Sequence, residues 1–251
     1  MIKILHYCWF GGNPLPESAL RYMESWKKFC PDYEIKRWDE SNFDINSVPF
    51  VAQAYAAKKW AFVSDYVRTY ALFHEGGLYV DTDVEFVKGI DDLTATSFLG
   101  FESTEIVAPG LILYAAREGL PFYEEILRRY NAMEFSVEKM PSLTSPLLYT
   151  QVLKGMGLQK NNTLQQLGEI TVYPMEYFQP MGLDWKKVRL TENTRSIHHY
   201  DASWLDKIDK ELLNLRKRHG VRGGNILFIM RHPIIAWRKF KASRKRRKEN
   251  S

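Results

Sequence analysis

With 251 residues, 45% of them apolar and 26% charged, the chain has the composition of a soluble globular protein. That excludes a collagen, a coiled-coil rod and a wholly disordered chain, and the longest apolar runs fall far short of the roughly 20 residues that span a bilayer. The net charge of +5 hides a division: residues 216–251 hold 13 Lys/Arg and one acid, Glu249, a local +12 that leaves −7 on residues 1–215.

Residues 2–10 form a short apolar run that ends at Gly11-Gly12, as a buried strand does when it stops at a turn. Pro14 and Pro16 open a helical stretch in which Leu20, Met23, Trp26 and Phe29 recur every three residues, and Pro31 stops it. Residues 33–38 alternate as a second strand, the β-α-β start of an α/β fold with a parallel sheet. Residues 50–75 read as one helix closed by Gly76-Gly77. Leu78-Tyr79-Val80 is a buried strand that runs into Asp81-Thr82-Asp83, after which 84–87 resume alternation. Further strands are expected at 98–101, 111–115, 170–173 and 196–200, and helices at 121–133, 144–154 and 203–219. One mixed α/β domain over 1–220 and a basic amphipathic tail over 221–251 is the economical organisation. Cys8 and Cys30 are too few for a disulfide scaffold and have no metal-ligand spacing. They and the absence of a basic, apolar leader point to a cytoplasmic protein.

The chemistry gathers in residues 60–83. On a strand, Asp81 and Asp83 point to the same side, and two adjacent carboxylates repel unless a cation sits between them. A hard divalent ion such as Mn²⁺ or Mg²⁺ removes that cost. A bare D-x-D arises about once by chance in a chain this long. Here an apolar strand and a double glycine precede it, and Asp65 and Arg68 share one face of the preceding helix at i, i+3 spacing.

The segment S-D-Y-V-R-x-x-x-L-x-x-x-G-G-L-Y-x-D-x-D, with H-Y-C-W-F-G-G near the start and H-H-Y-D-A-S-W at 198–204, resembles glycosyltransferase family 32. That D-x-D sugar-transferase family includes initiating mannosyltransferases and bacterial capsule and lipopolysaccharide glycosyltransferases. The segment is also similar to the catalytic domain of the large clostridial glucosylating toxins. The resemblance implies a GT-A nucleotide-binding fold with a mostly parallel central sheet, and a nucleotide-sugar donor, UDP-sugar, held through Mn²⁺ or Mg²⁺. It further implies Asp83 as direct metal ligand and Asp81 as shared between ribose and metal-bound water. Asp65 and Arg68 would contact donor-sugar hydroxyls, Tyr79 would line the nucleotide pocket with Tyr7, and Trp9 would lie over the base. Ser203 and Trp204 would close over the diphosphate, and sugar transfer would retain the anomeric configuration. A histidine before a tyrosine is a further metal ligand in related families, which favours His199 over His198. Adjacent strand residues face opposite ways, so at most one of the two reaches the site. His6 and His74 read as structural.

A D-x-D phosphatase of haloacid-dehalogenase type is the alternative enzyme, with Asp81 as nucleophile; its pattern wants threonine where Glu85 stands. A non-enzymatic nucleic-acid module leaves Asp65, Arg68, Asp81 and Asp83 unexplained. In the tail, apolar residues up to Phe240 precede a Lys/Arg cluster, the pattern of an interfacial anchor on an anionic membrane, and Pro233 is expected to kink any helix there. That order favours the membrane over nucleic acid. It suits a lipid-linked or glycan acceptor at the inner face of the cell membrane.

Overall fold

The N-terminal apolar run becomes β1 (Ile4–Cys8), followed by α1 (Glu17–Phe29) and β2 (Glu34–Trp38). β1 and β2 pair in parallel from Ile4↔Glu34 to Cys8↔Trp38, the expected β-α-β opening. The computed structural model describes residues 1–181, 188–201 and 207–237. They divide into two compact units, Met1–Pro180 with Leu190–Asp201, and Met181–Arg189 with Ala202–Ser251.

The first unit is built on a seven-stranded sheet. To β1 and β2 it adds β3 (Gly77–Tyr79), β5 (Ser97–Gly100), β6 (Leu113–Ala115), β7 (Gln165–Leu167) and β8 (Ile170–Tyr173), in the order β2-β1-β3-β6-β5-β8-β7. Five strands run one way and β6 and β7 run the other, so the sheet is mostly parallel by direction. β4 (Val84–Phe86) and β9 (Ser196–His198) stand apart as an antiparallel pair. Apolar residues from α2 (Pro49–Ala56), α3 (Trp60–Glu75), α4 (Pro121–Asn131) and α5 (Ser145–Gly155) cover one face, among them Phe50, Val67, Ile126 and Tyr149 over Leu99, Leu113 and Val172. Met23 and Trp26 of α1 and Phe178 of α6 (Met175–Phe178) cover the other, over Leu5, Leu78 and Phe98.

Three expectations change. The helix over 50–75 is two helices: Ala57, Lys58 and Lys59 close the last turn of α2 through their N–H groups, and Lys58 takes a left-handed φ of 56°. A break made of helix-favouring residues leaves no mark on periodicity. On α1, Leu20 remains exposed while Ala19 turns inward with Met23 and Trp26. The strand over 196–200 stops at His198, because Tyr200 adopts a left-handed φ of 51°.

Two joints place the site. A single residue, Gly76, connects α3 to β3, at φ 63° and ψ −156°, a region open in practice only to glycine. Its shortness holds the inner face of α3 beside the end of β3. On the other face, the fully buried Trp26 donates from Nε1 to the Val84 carbonyl (2.7 Å), and Ser25 Oγ accepts the Phe86 N–H (2.8 Å), which moors β4 to α1.

In the second unit, α7 (Lys207–Arg231) covers part of the helix expected at 203–219; residues 203–206 lie outside the described residues. Its backbone leaves the helix at Gly220, where the expected boundary between domain and tail falls. Glu211 before the break pairs with Arg231 and His232 after it, and Arg216 with Asn225, so the two arms run antiparallel. Among the described residues no helix is long and apolar enough to cross a membrane.

His6 is structural as expected. It is fully buried, its Nδ1 accepts from Trp38 Nε1 (3.1 Å), and its Nε2 donates to the Gly76 carbonyl (2.9 Å), tying β1, β2 and the α3–β3 joint together. Burial pushes its pKa down from 6.5 to about 4. The folded state therefore binds fewer protons than the unfolded state, and this contribution to stability is lost as pH falls from 6.5 towards 4. Urea denaturation should show about 2 kcal/mol less stability at pH 5 than at pH 7 from this group, and His6→Gln should flatten that part of the profile.

Candidate active site

Asp65, Arg68, Tyr79 and Asp81 meet on the face of the sheet that α3 covers. Tyr79 and Asp81 point the same way along the chain, towards α3. Tyr79 donates its hydroxyl to Asp81 Oδ1 (2.8 Å), and Arg68 Nη2 donates to the same oxygen (3.0 Å). The same Nη2 lies 3.2 Å from Asp65 Oδ1, and the guanidinium sits 4.9 Å from the centre of the Tyr79 ring. Ser145, at the start of α5, donates its hydroxyl (2.6 Å) and its N–H to Asp65. This helix end also favours the negative charge through its dipole.

Burial is the dominant influence on both carboxylates and pushes their pKa values up, with Arg68 acting against it. Burial also opposes the charge of Arg68, but Asp81, Tyr79 and Asp65 together hold its pKa well above the usual value. Arg68 therefore stays a cation and keeps the buried Asp65 and the half-buried Asp81 ionisable. Gly110 completes the cradle: its carbonyl accepts the Asp81 N–H (3.2 Å), and a Cβ on it would overlap the Asp81 carboxylate.

Asp83 reaches the site differently from the expectation. The two acids do not sit on one strand. Val84 N–H donates to the Asp81 carbonyl (3.1 Å), closing a turn over 81–84 that folds Asp83 back towards Asp81. The segment after β9 then grips Asp83. His198 Nε2 lies 3.0 Å from its Oδ1, the Asp201 N–H donates to its Oδ2 (2.9 Å), and the His199 N–H donates to its backbone carbonyl (2.9 Å). Burial opposes ionisation of Asp83, but the charge and hydrogen bond of His198 and the Asp201 N–H outweigh it and hold the pKa at about 2.

The histidine preference is corrected here. His198, opposite Val84 in the β4–β9 pair, joins Asp81 and Asp83, while His199 faces the other way, pairs with Glu85 (2.8 Å) and stacks on Tyr22. Asp81, Asp83 and His198 place one ligand atom each within 4.8 Å of one another. This donor set fits a divalent ion. Two carboxylates suit Mg²⁺ or Mn²⁺, and the imidazole is better matched to Mn²⁺. Among the described residues, the buried Nδ1 of His198 has no hydrogen-bond partner.

The remaining expected residues are placed as follows. Tyr79 is fully buried, and its hydroxyl holds Asp81. Tyr7 is likewise buried and packs on Trp26. Trp9 is half-buried just past the end of β1, with its Nε1 bound to the Asn13 carbonyl (2.6 Å). Ser203 and Trp204 lie outside the described residues. Sequence reasoning missed Tyr200, whose hydroxyl donates to Glu102 (2.9 Å) and whose ring lies against His198. Ser145 and Gly110 were likewise not among the expected site residues.

Arg68 favours the ionised form of Asp81 and His198 that of Asp83, just past the end of a strand in a mostly parallel sheet, where open α/β sheets bind their ligands. Residues 16–99, about a third of the chain, match the family described as the glycosyltransferase sugar-binding region containing DXD motif. That match supports an enzyme that transfers a sugar, a glycosyltransferase. Among solved structures it is similar to a PaToxG glycosyltransferase at 22% identity and a TM-score of 0.48, over 61% of this chain and 68% of that one. No curated protein matches it in sequence.

Breaking a buried ion pair by removing one partner costs about 3–5 kcal/mol. Arg68→Met, which strands Asp65 and Asp81, should lose stability on that scale in urea denaturation. The same change at Arg117, whose pair with Glu169 is exposed, should leave the midpoint essentially unmoved.

Proposed function

We propose that the enzyme is a metal-dependent hexosyltransferase that takes its sugar from a UDP-sugar, with retention, and passes it to a glycan or lipid-linked acceptor in surface polysaccharide synthesis of the capsule or lipopolysaccharide kind. The observation that carries this reading is the convergence of Asp81, Asp83 and His198. These three would hold Mn²⁺ or Mg²⁺. When bound, the ion supplies Lewis-acid stabilisation of the charge that grows on a departing diphosphate.

The chain's own residues prepare that site. Arg68 and Tyr79 orient Asp81, so one carboxylate oxygen is already committed to the protein and the other is fixed in direction. His198 and the Asp201 N–H do the same for Asp83. Such groups stabilise developing charge without reorganising at the moment of reaction. Trp9 and Asp81 follow the carboxyl ends of β1 and β3, which are adjacent and parallel. Open α/β sheets bind nucleotides at that edge, and the tethered Trp9 indole offers a stacking surface for the base. Asp65 and Arg68 set sugar preference in this reading, acting from beneath Asp81. The alternative phosphatase needs Asp81 as a free nucleophile and Asp83 as a proton donor. Both carboxylates are engaged here, and Asp83 ionises too readily to donate.

Incubation with a panel of nucleotide-sugars, read by mass spectrometry for released nucleoside diphosphate, tests the reading. Activity should vanish in EDTA and return with Mn²⁺. Asp83→Asn should abolish it with the fold intact. His198→Ala should raise the Mn²⁺ needed for half-maximal activity by about tenfold or more, whereas His199→Ala should change it little. Full activity in EDTA, or the two histidine variants behaving alike, would overturn the metal assignment.

A further inference from the structure

We propose that the second arm of α7 and its continuation form a docking face for a phospholipid surface with acidic headgroups. Ile226, Ile229, Met230, Ile234 and Trp237 recur at i, i+3, i+4, i+8 and i+11, which gathers them on one side of a helix at 100° per residue. The helical path continues that far: His232 N–H donates to the Phe228 carbonyl (2.8 Å) and Ala236 N–H to the His232 carbonyl (2.9 Å), past Pro233. The expected kink at Pro233 therefore does not end it.

This side is turned outward. The five side chains are 59%, 53%, 73%, 67% and 61% exposed in chain order, while Phe228 on the opposite side is buried. In a water-facing helix this pattern runs the other way, with the apolar side inward. A contiguous exposed apolar face marks an interaction surface.

Charge selects the occupant. The segment that carries the stripe is part of the +12 of residues 216–251. A second copy of the chain would set +12 against +12, which disfavours self-association. An acidic bilayer satisfies both features at once, since Ile, Met and Trp enter the headgroup region and each Lys or Arg near the surface adds attraction. Nucleic acid would satisfy the charge and leave the stripe in water.

The inference does not depend on sugar transfer, and its test reads binding alone. The full chain is sedimented with vesicles of phosphatidylcholine, with or without phosphatidylglycerol, at low and high salt. The same is done for a variant carrying Ile226→Ser, Met230→Ser and Ile234→Ser, matched by circular dichroism. The native protein should pellet with the acidic vesicles, and salt should weaken the binding without removing it. The variant should bind about tenfold less or weaker still. Equal pelleting of the two proteins, complete release by salt, or a change from dimer to monomer in the variant would overturn the proposal. The first would exclude the stripe, the second would favour a purely ionic partner such as nucleic acid, and the third would favour a second copy.

Discussion

Taking carboxylates out of water is unfavourable, and this enzyme sets one buried and one half-buried carboxylate around a single arginine. Arg68 is the group that makes the arrangement possible. Without its charge Asp65 and Asp81 would protonate, and a protonated Asp81 is a poor partner for a cation. The placement of α3, the one-residue joint at Gly76, the start of α5 at Ser145 and the close passage of Gly110 all make sense as ways of bringing donors to those two acids. The pairs also show why ion-pair counting says little. Arg117–Glu169, at 2.7 Å, is shorter than either pair of Arg68, yet water already solvates both groups.

The second acid is handled by different means. Asp83 leans on no arginine; an imidazole and a backbone N–H from the returning segment at 198–201 hold it. Its ionisation is eased and that of Asp81 is hindered, although the two stand two residues apart. Such a split leaves one acid of the pair readily charged and the other dependent on its surroundings.

Much of this was legible in the chain. The β-α-β opening, the strand before the D-x-D, and the Asp65/Arg68 face all follow from periodicity and punctuation, because these elements are long or sharply bounded. Other features were not legible. The choice between His198 and His199 is a question of strand phase, and phase depends on where β9 begins its pairing with β4, which is a long-range fact. The turn at 81–84 escaped because D-T-D continues a strand as readily as it ends one. Tyr79 was assigned to a pocket on motif grounds, while its complete burial is set by the strands and helices that enclose it. Glycine at 110 and serine at 145 carry no signal of their own in the sequence. Each is instead a fit to a neighbour, and a neighbour distant in sequence is invisible to local reading.

The grip of residues 198–201 on Asp83 spans 115 positions of the chain. Closing a flexible loop of that length costs on the order of 4 kcal/mol of chain entropy before any contact repays it. The β4–β9 pair is therefore among the last contacts that folding can make, after the local β-α-β unit has formed. During synthesis, Asp65 and Asp81 emerge and meet Arg68 long before His198 exists. The half-built centre is a pair of acids with one cation, and it acquires its imidazole only as the end of the first unit leaves the ribosome. Assembly thus has an order, scaffold first and the histidine of the proposed metal site last, written into the distance between two residues that end up 3.0 Å apart.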